Sequence, residues 1–537
     1  PGQFGVGRRA GCELVHKAVT ALVDEDRARV VLAFDATNAF GTLPRQRVWE
    51  GVKGRLPELD AVVRAWLGGP TAHVCWDREG TAHRLEATAG VDQGCPLSPL
   101  FFALGLSAAL ESIGSQLQGL DSKSQTFAYL DDVVVVVAPG QAEEAHRVVE
   151  ATLASHGLAL NAGKTCVWSR DPQAPLPEVL QGRRKPELRL LGADVRFLDR
   201  HDDRDVFGAP VWGSVAGGPL VESAKKLVKQ LSAMQDAGLR GKTAYTVLRT
   251  YAQGCCNHLL RANYEEGSWV EDLEEVLQEG LARVTGSPLD AGKRALASLR
   301  LKDGGIAFGG FRGRSAPAFL GSWGMVFQEV ASGIGATTLE GFSSRCPTVW
   351  AEIGRAEQSL RLLGGNGGRA LDWGQMIDEP AGKLQGTWAK EISENRREAI
   401  IWSLPEGDAA DARSHGGPGA GSFLCPPCLG GKVMPDQHFT VSLRDRLLLP
   451  VCQDGARCQH RRPDGSLCNV RLDARGKHAK TCAIGGGLVR RHNGIRDYGS
   501  VSWKACTGIQ ALTEQRVPEW DREVTDGRGG TVVEEAV

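Results

Sequence analysis

Two groups of residues in this 537-residue chain have types and spacing suited to chemistry. The first is acidic. Asp35 closes the apolar run Val30-Val31-Leu32-Ala33-Phe34, and Asp131 and Asp132 sit between two further apolar runs, Phe127-Ala128-Tyr129 and Val133 to Val137. Asp is common in tight turns, where its side chain bonds nearby backbone, so the pair alone reads equally well as a solvated turn. A strand-end carboxylate together with an acidic hairpin tip has a sharper meaning. Such carboxylates can hold two magnesium ions roughly 3.5–4 Å apart, one at the attacking and one at the leaving oxygen of a phosphoryl transfer. Mg²⁺ prefers hard oxygen ligands of this kind and keeps waters and substrate phosphates in its shell.

The second group is Cys458, Cys468, His478 and Cys482, spaced C-x9-C-x9-H-x3-C. His478 and Cys482, four residues apart, would share one helix face, and three thiolates with one imidazole suit tetrahedral zinc. Cys452 is an alternative to Cys458. Cys425-Pro426-Pro427-Cys428 reads as a second half-site, a redox pair or a plain loop. Six of the 14 cysteines fall between residues 425 and 482. That is the pattern of a local metal site rather than of the disulfide framework of a small secreted domain.

The acidic residues need strands to carry them, and the first 200 residues supply alternating strand and helix patterns. Ser98 to Ile113 reads as a helix with Ser98 as N-cap, Pro99 at the first helical position and Gly114 after its end. The runs around Asp131-Asp132 read as a hairpin, Ala142 to His156 as an amphipathic helix, and Leu158 to Leu160 as a further strand. Such mixing indicates an α+β domain. From about 219 onward the pattern is helical, and Ala412 to Gly421 has the composition of a flexible linker.

These residues resemble a known family. Phe127-Ala128-Tyr129-Leu130-Asp131-Asp132 resembles the Y-x-D-D box of reverse transcriptases, and Phe34-Asp35-Ala36-Thr37-Asn38-Ala39-Phe40 their first acidic motif in the form of non-LTR retrotransposons. Gln93-Gly94-Cys95-Pro96-Leu97-Ser98-Pro99 is similar to the Q-G-x-x-x-S-P motif. Gly157-Leu158 with Asn161 and Lys164 resembles the next motif, and Leu190-Leu191-Gly192 the primer-grip hairpin. The resemblance implies a right-hand polymerase in which Asp35, Asp131 and Asp132 hold two Mg²⁺ ions and Lys164 protonates the departing pyrophosphate. Phe40 would screen the sugar 2′ carbon, and Gln93 and Gly94 would line the template and nucleotide pocket. Gln3-Phe4-Gly5-Val6-Gly7 resembles the tail of a fingers motif, so Arg8 and Arg9 would meet the triphosphate through their planar forks.

The implied layout is α+β: partial fingers and palm (1–200), helical thumb (215–300), helical connector of unknown role (301–411), Gly-rich linker (412–421), zinc knuckle (422–485) and the start of a restriction-like endonuclease (486–537). Arg490, Arg491, His492, Asn493 and Arg496 form a basic cluster there, and Glu514 is the expected nuclease remnant. The chain starts at Pro1, and the nuclease strands that would carry further acidic residues and a Lys are expected to begin only at Val533 to Val537, where it stops. It therefore reads as a fragment cut at both ends, with the nuclease inactive. The expected partners are an RNA template, a DNA primer or target and deoxynucleoside triphosphates, and the expected location is nuclear.

Lys+Arg 63 against Asp+Glu 64 leaves a net charge of -1, so phosphate binding must come from local patches such as Lys225, Lys226, Lys229, Arg240 and Lys242. No uninterrupted apolar run is long enough to span a membrane. Set against the polymerase is a catalytically dead remnant that binds nucleic acid without copying it. Group II intron-type enzymes and telomerases are rivals that do not normally carry this Cys/His tail.

Overall fold

A computed structural model describes residues 2–171, 175–191, 193–195, 218–264, 268–378, 383–425 and 434–484, with short stretches between 493 and 534. Gly192, Cys428, Arg490, Arg491, His492 and Glu514 lie outside the described residues. The chain divides into two compact units, Pro1–Asp436 and Gln437–Val537.

The centre of the first unit is a four-stranded antiparallel sheet in the order β4-β5-β1-β6, with β1 Val30–Phe34, β4 Gln125–Tyr129, β5 Asp132–Val137 and β6 Cys166–Ser169. Between β1 and β4 an exposed hairpin pairs β2, Thr71–Trp76, with β3, Ala82–Ala87. Antiparallel sheets often leave one face wet. Here both are covered, which is why β1 and β5 are near-continuous apolar runs. Val30, Leu32, Phe34, Val133, Val135 and Val137 face one core with Phe101, Phe102, Leu106 and Leu110 of the helix Ser98–Leu120. Val31, Phe127, Val134, Val136 and Trp168 face the other, against the helix Gly11–Glu25 and the helix Arg312–Gly333.

Several expectations need correction. The first helix after the Q-G-x-x-x-S-P motif does not stop at Gly114 but runs to Leu120, because Ile113 and Leu117 stay buried on the core face and outweigh the roughly 1 kcal/mol cost of a helical glycine. It is long and apolar enough to cross a membrane by length and composition, yet much of its surface is core. Leu158 to Leu160 is no strand. It contributes one bridge, Leu160 with Ala36, and the strand beside β1 is β6.

Residues 301–411 are more than a connector. Phe319, Trp323 and Phe327, spaced four apart on the helix Arg312–Gly333, join Phe342, Trp350 and Trp373 in an aromatic cluster behind the sheet. Removing one such ring typically costs about 3–5 kcal/mol. Buried Asp24 ties this layer to the central sheet: it accepts the Thr348 and Val349 backbone N–H groups, both at 2.9 Å, at the start of the helix Pro347–Leu362, and pairs with Arg170 of the segment after β6. Nor is 412–421 a linker between domains. A helix Glu406–Ser414 occupies its start, the Gly417 N–H donates to the Lys302 carbonyl at 2.7 Å, and the division between units falls at 436/437. In the second unit two strands pair before Val537, β7 Arg522–Thr525 with β8 Thr531–Glu534, so strand structure begins well before the position expected from sequence.

Lys17 is buried in this rear layer. Its ammonium lies 4.2 Å from the Phe319 ring centroid and 4.5 Å from that of Trp323, and donates to the Ala262 carbonyl at 3.4 Å. Burial pulls its pKa from 10.5 down to about 7, against the opposing pull of Glu352 and Glu13. Between those values the unfolded chain holds the extra proton, so this residue's contribution to stability rises with pH across the window. Lys17→Met should therefore melt higher than wild type at pH 7, with the gap narrowing by pH 9. Calorimetry showing no gap, or one that widens, would refute this.

Candidate active site

The β1–β5 register builds the acidic site. Phe34 pairs with Val133, so Asp35 just beyond β1 and Asp132 at the start of β5 lie at the same end of neighbouring strands. Leu130-Asp131 is the two-residue turn between β4 and β5, since Tyr129 pairs with Asp132. The segment after the helix Ala142–Ser155 then packs alongside: the Asn161 N–H donates to the Asp35 carbonyl at 2.7 Å, and the Thr37 N–H to that of Ala159 at 2.8 Å. This brings Lys164 over the acids, where its Nζ donates to Asp35 Oδ1 at 3.1 Å. The Asp132 carboxyl is pushed up to about 6. Protein crowding that thins its hydration is the main cause, the charges of Asp131 and Asp35 add to it, and Lys164 opposes. Asp35, Asp131, Asp132 and Lys164 thus share one electrostatic neighbourhood.

Phe40 is half-buried and stacks on Phe102 with centroids 4.4 Å apart and planes 8° from parallel. Gln93 and Gly94 are exposed, in the loop before the helix Ser98–Leu120. Gly94 has φ +93, a backbone conformation that L side chains rarely adopt. A Cβ there would meet nothing within 4 Å, so the glycine serves the turn rather than a close contact inside the protein. Arg8 is paired with Glu329 of the helix Arg312–Gly333, and Arg9 is exposed.

In the second unit Cys458, Cys468, His478 and Cys482 converge, their ligand atoms all within 4.8 Å of one another. The Cys458–Cys482 and Cys468–Cys482 sulfur separations are both 3.8 Å, and Cys468 Sγ lies 3.3 Å from His478 Nε2. Thiolates about 2.3 Å from one tetrahedral centre would sit about 3.8 Å apart, so the spacing fits zinc. Two short bridges, Arg457 with Arg471 and Arg461 with Leu467, carry Cys458 and Cys468 on facing arms. A short helix, Lys477–Thr481, carries His478, and Cys482 follows it. The Cys468 thiol is lowered to about 7, first by the Val470 N–H and then by its neighbours in the cluster. Cys452 stays outside the group, its thiol donating to the Asp473 carbonyl at 3.1 Å.

A family model described as reverse transcriptase (RNA-dependent DNA polymerase) matches residues 3–195, the stretch that holds all the palm residues above. That stretch of the chain is similar to the reverse transcriptase family. A curated relative, the retrotransposable element SLACS 132 kDa protein of Trypanosoma brucei gambiense, is 24% identical over 311 residues. The match covers 56% of this chain and 24% of that protein, so the chain spans about a quarter of the relative's length. Among solved structures, telomerase from Candida albicans with a TWJ fragment of telomeric RNA aligns at 13% identity and TM-score 0.31, covering 64% of this chain and 50% of that one. Apo telomerase from Candida tropicalis aligns at 11% and 0.31, covering 73% and 56%. Superpositions this loose transfer neither fold nor activity.

Sequence reasoning about this stretch missed two partners. Glu329, which holds Arg8, comes from a region with no motif, and nothing local announces it. Phe102, which backs Phe40, has a signal: it sits four residues after Ser98 on the core face of a helix that begins at Ser98 as expected, although Leu97 and not Ser98 is its N-cap and no side chain caps it.

Proposed function

We propose that this chain is an RNA-directed DNA polymerase of a non-LTR retrotransposon, extending a DNA 3′-hydroxyl on an RNA template. The observation that carries the reading is the convergence of Asp35, Asp131 and Asp132 at one end of β1 and β5 inside the matched domain. Carboxylates crowded so that the charges of Asp131 and Asp35 help raise the Asp132 pKa suit a divalent cation, and their hard oxygens suit Mg²⁺. When bound there, two Mg²⁺ ions would supply charge stabilisation and activation of the hydroxyl.

The chain's own residues do the rest. Phe40, braced by Phe102, would exclude a 2′-hydroxyl from the incoming sugar. Arg8 and Arg9 would hold the triphosphate, Arg8 giving up Glu329, while Gln93 and Gly94 line the pocket. Lys164 would exchange Asp35 for the departing pyrophosphate and deliver a proton to it. Exposed Lys225, Lys226 and Lys229 on the helix Gly218–Asp236 would track the backbone of the bound duplex. Cys458, Cys468, His478 and Cys482 would hold a structural zinc.

A primer-extension assay with an RNA template, a DNA primer, deoxynucleotides and Mg²⁺ tests the reading. Primer lengthening that requires Mg²⁺ is the expected result. Nucleic-acid binding with no extension would favour the dead remnant.

A further inference from the structure

Gln3 belongs to the segment before the helix Gly11–Glu25, which the sequence motif connected only with the triphosphate. Its backbone forms a parallel bridge with Ala128 of β4, fixed by Phe4 N–H to the Ala128 carbonyl at 2.7 Å and Ala128 N–H to the Gly2 carbonyl at 2.6 Å. From there the side-chain amide reaches the turn that carries Asp131. Oε1 accepts from the Leu130 N–H at 2.8 Å and the Gly5 N–H at 2.9 Å, and Nε2 donates to the Leu130 carbonyl at 3.1 Å. Both polar groups of the turn's first residue are therefore satisfied by one side chain.

That residue is under strain. Leu130 has φ +56, a region a leucine seldom occupies, and a two-residue hairpin turn with positive φ at its first position normally has glycine there. Such a conformation persists only where its surroundings over-determine it. Gly5 makes room for the clamp: a Cβ at that position would come within 2.8 Å of the Leu130 nitrogen and 2.9 Å of its Cγ. Asp131 and Asp132 are the next two residues, so a turn free to relax would re-aim both carboxylates.

We propose that Gln3 is a positioning residue that clamps the Leu130 peptide and thereby fixes the direction of Asp131 and Asp132. Its catalytic consequence rests on the polymerase reading above; the clamp itself does not. The amide is required as an amide. A carboxylate would set an oxygen against the Leu130 carbonyl, and an apolar chain would leave both Leu130 groups unpaired.

The test uses the full chain carrying Gln3→Glu or Gln3→Met. Misplacing catalytic groups by about 1 Å can cost about 10²-fold, so kcat for RNA-templated extension should fall about 10- to 100-fold in both, with the deoxynucleotide KM near wild type and a higher Mg²⁺ requirement. On metal-free protein, the Leu130 amide should exchange with solvent about tenfold faster, while Val133 to Val137 keep their protection. Wild-type kcat and wild-type Leu130 exchange in both variants would overturn the proposal. So would a loss of protection spread through β4 and β5, which marks Gln3 as a general structural support. If the wild-type chain extends nothing, the polymerase reading fails, and Leu130 exchange still decides the clamp.

Discussion

Asp131→Asn is expected to lower RNA-templated extension about a thousandfold or more while leaving RNA affinity near wild type. The substitution changes almost no volume and keeps the turn's backbone, so the fold should be untouched. It removes one of three carboxylates that meet at one end of the sheet, and with it a charge that a divalent cation would use. It also relieves Asp132 of a repelling neighbour, so the Asp132 pKa should drop from about 6 toward the ordinary carboxylate range. Single-turnover extension alongside a filter-binding measurement separates the two effects. Extension that survives the substitution would sink the assignment of the palm, and RNA binding lost in parallel would show that Asp131 supports structure instead.

Removing zinc should unfold the Cys/His region of the second unit. Structural zinc sites contribute on the order of 10 kcal/mol to local folding, more than a segment as short as 452–482 can gain from its own core. Its own cluster is little more than Cys458, Cys468 and Cys482 with Leu472 and Ile484 against them. A strong chelator, or Cys468→Ser, should therefore open residues 452–482 to protease. Primer extension should persist, because the palm and its rear layer belong to the other compact unit. Purified protein should contain about one zinc per chain by atomic emission, and a content near zero would refute the site. Acidification should release the metal, since the thiolates and the imidazole must be unprotonated to bind.

The parts of the molecule legible from sequence are those whose cause is local. A β-branched run ending in Asp35, two apolar runs around Asp131-Asp132 and a Cys/His spacing each carry their geometry in a few residues. The core helix Ser98–Leu120 is legible in its first residue, although Leu97 rather than Ser98 is its N-cap, and not at its end, where burial of Leu117 overrides Gly114. What was not legible depends on residues far apart in the chain. The Gln3 clamp spans 127 positions, the Arg8–Glu329 pair 321, and the Asp24 cap on the Thr348 N–H 324. None of these leaves a periodicity or a motif. Phe319, Trp323 and Phe327 have helical spacing, but nothing in that spacing says that the face lies against the back of the β1–β5 sheet.

That covering of the rear of the sheet bears on how the chain is made. During synthesis the strands β1, β4, β5 and β6 all leave the ribosome before the helix Arg312–Gly333 exists. Until then Val31, Val134, Val136 and Trp168 have only the helix Gly11–Glu25 to shelter them, and that helix itself needs Phe319 and Trp323 around Lys17. The nascent sheet would wait with one face partly bare, a state prone to sticking to its neighbours. A gene fragment trimmed to the motif-bearing first 195 residues would remain in that state permanently, and its insolubility would say nothing about its chemistry.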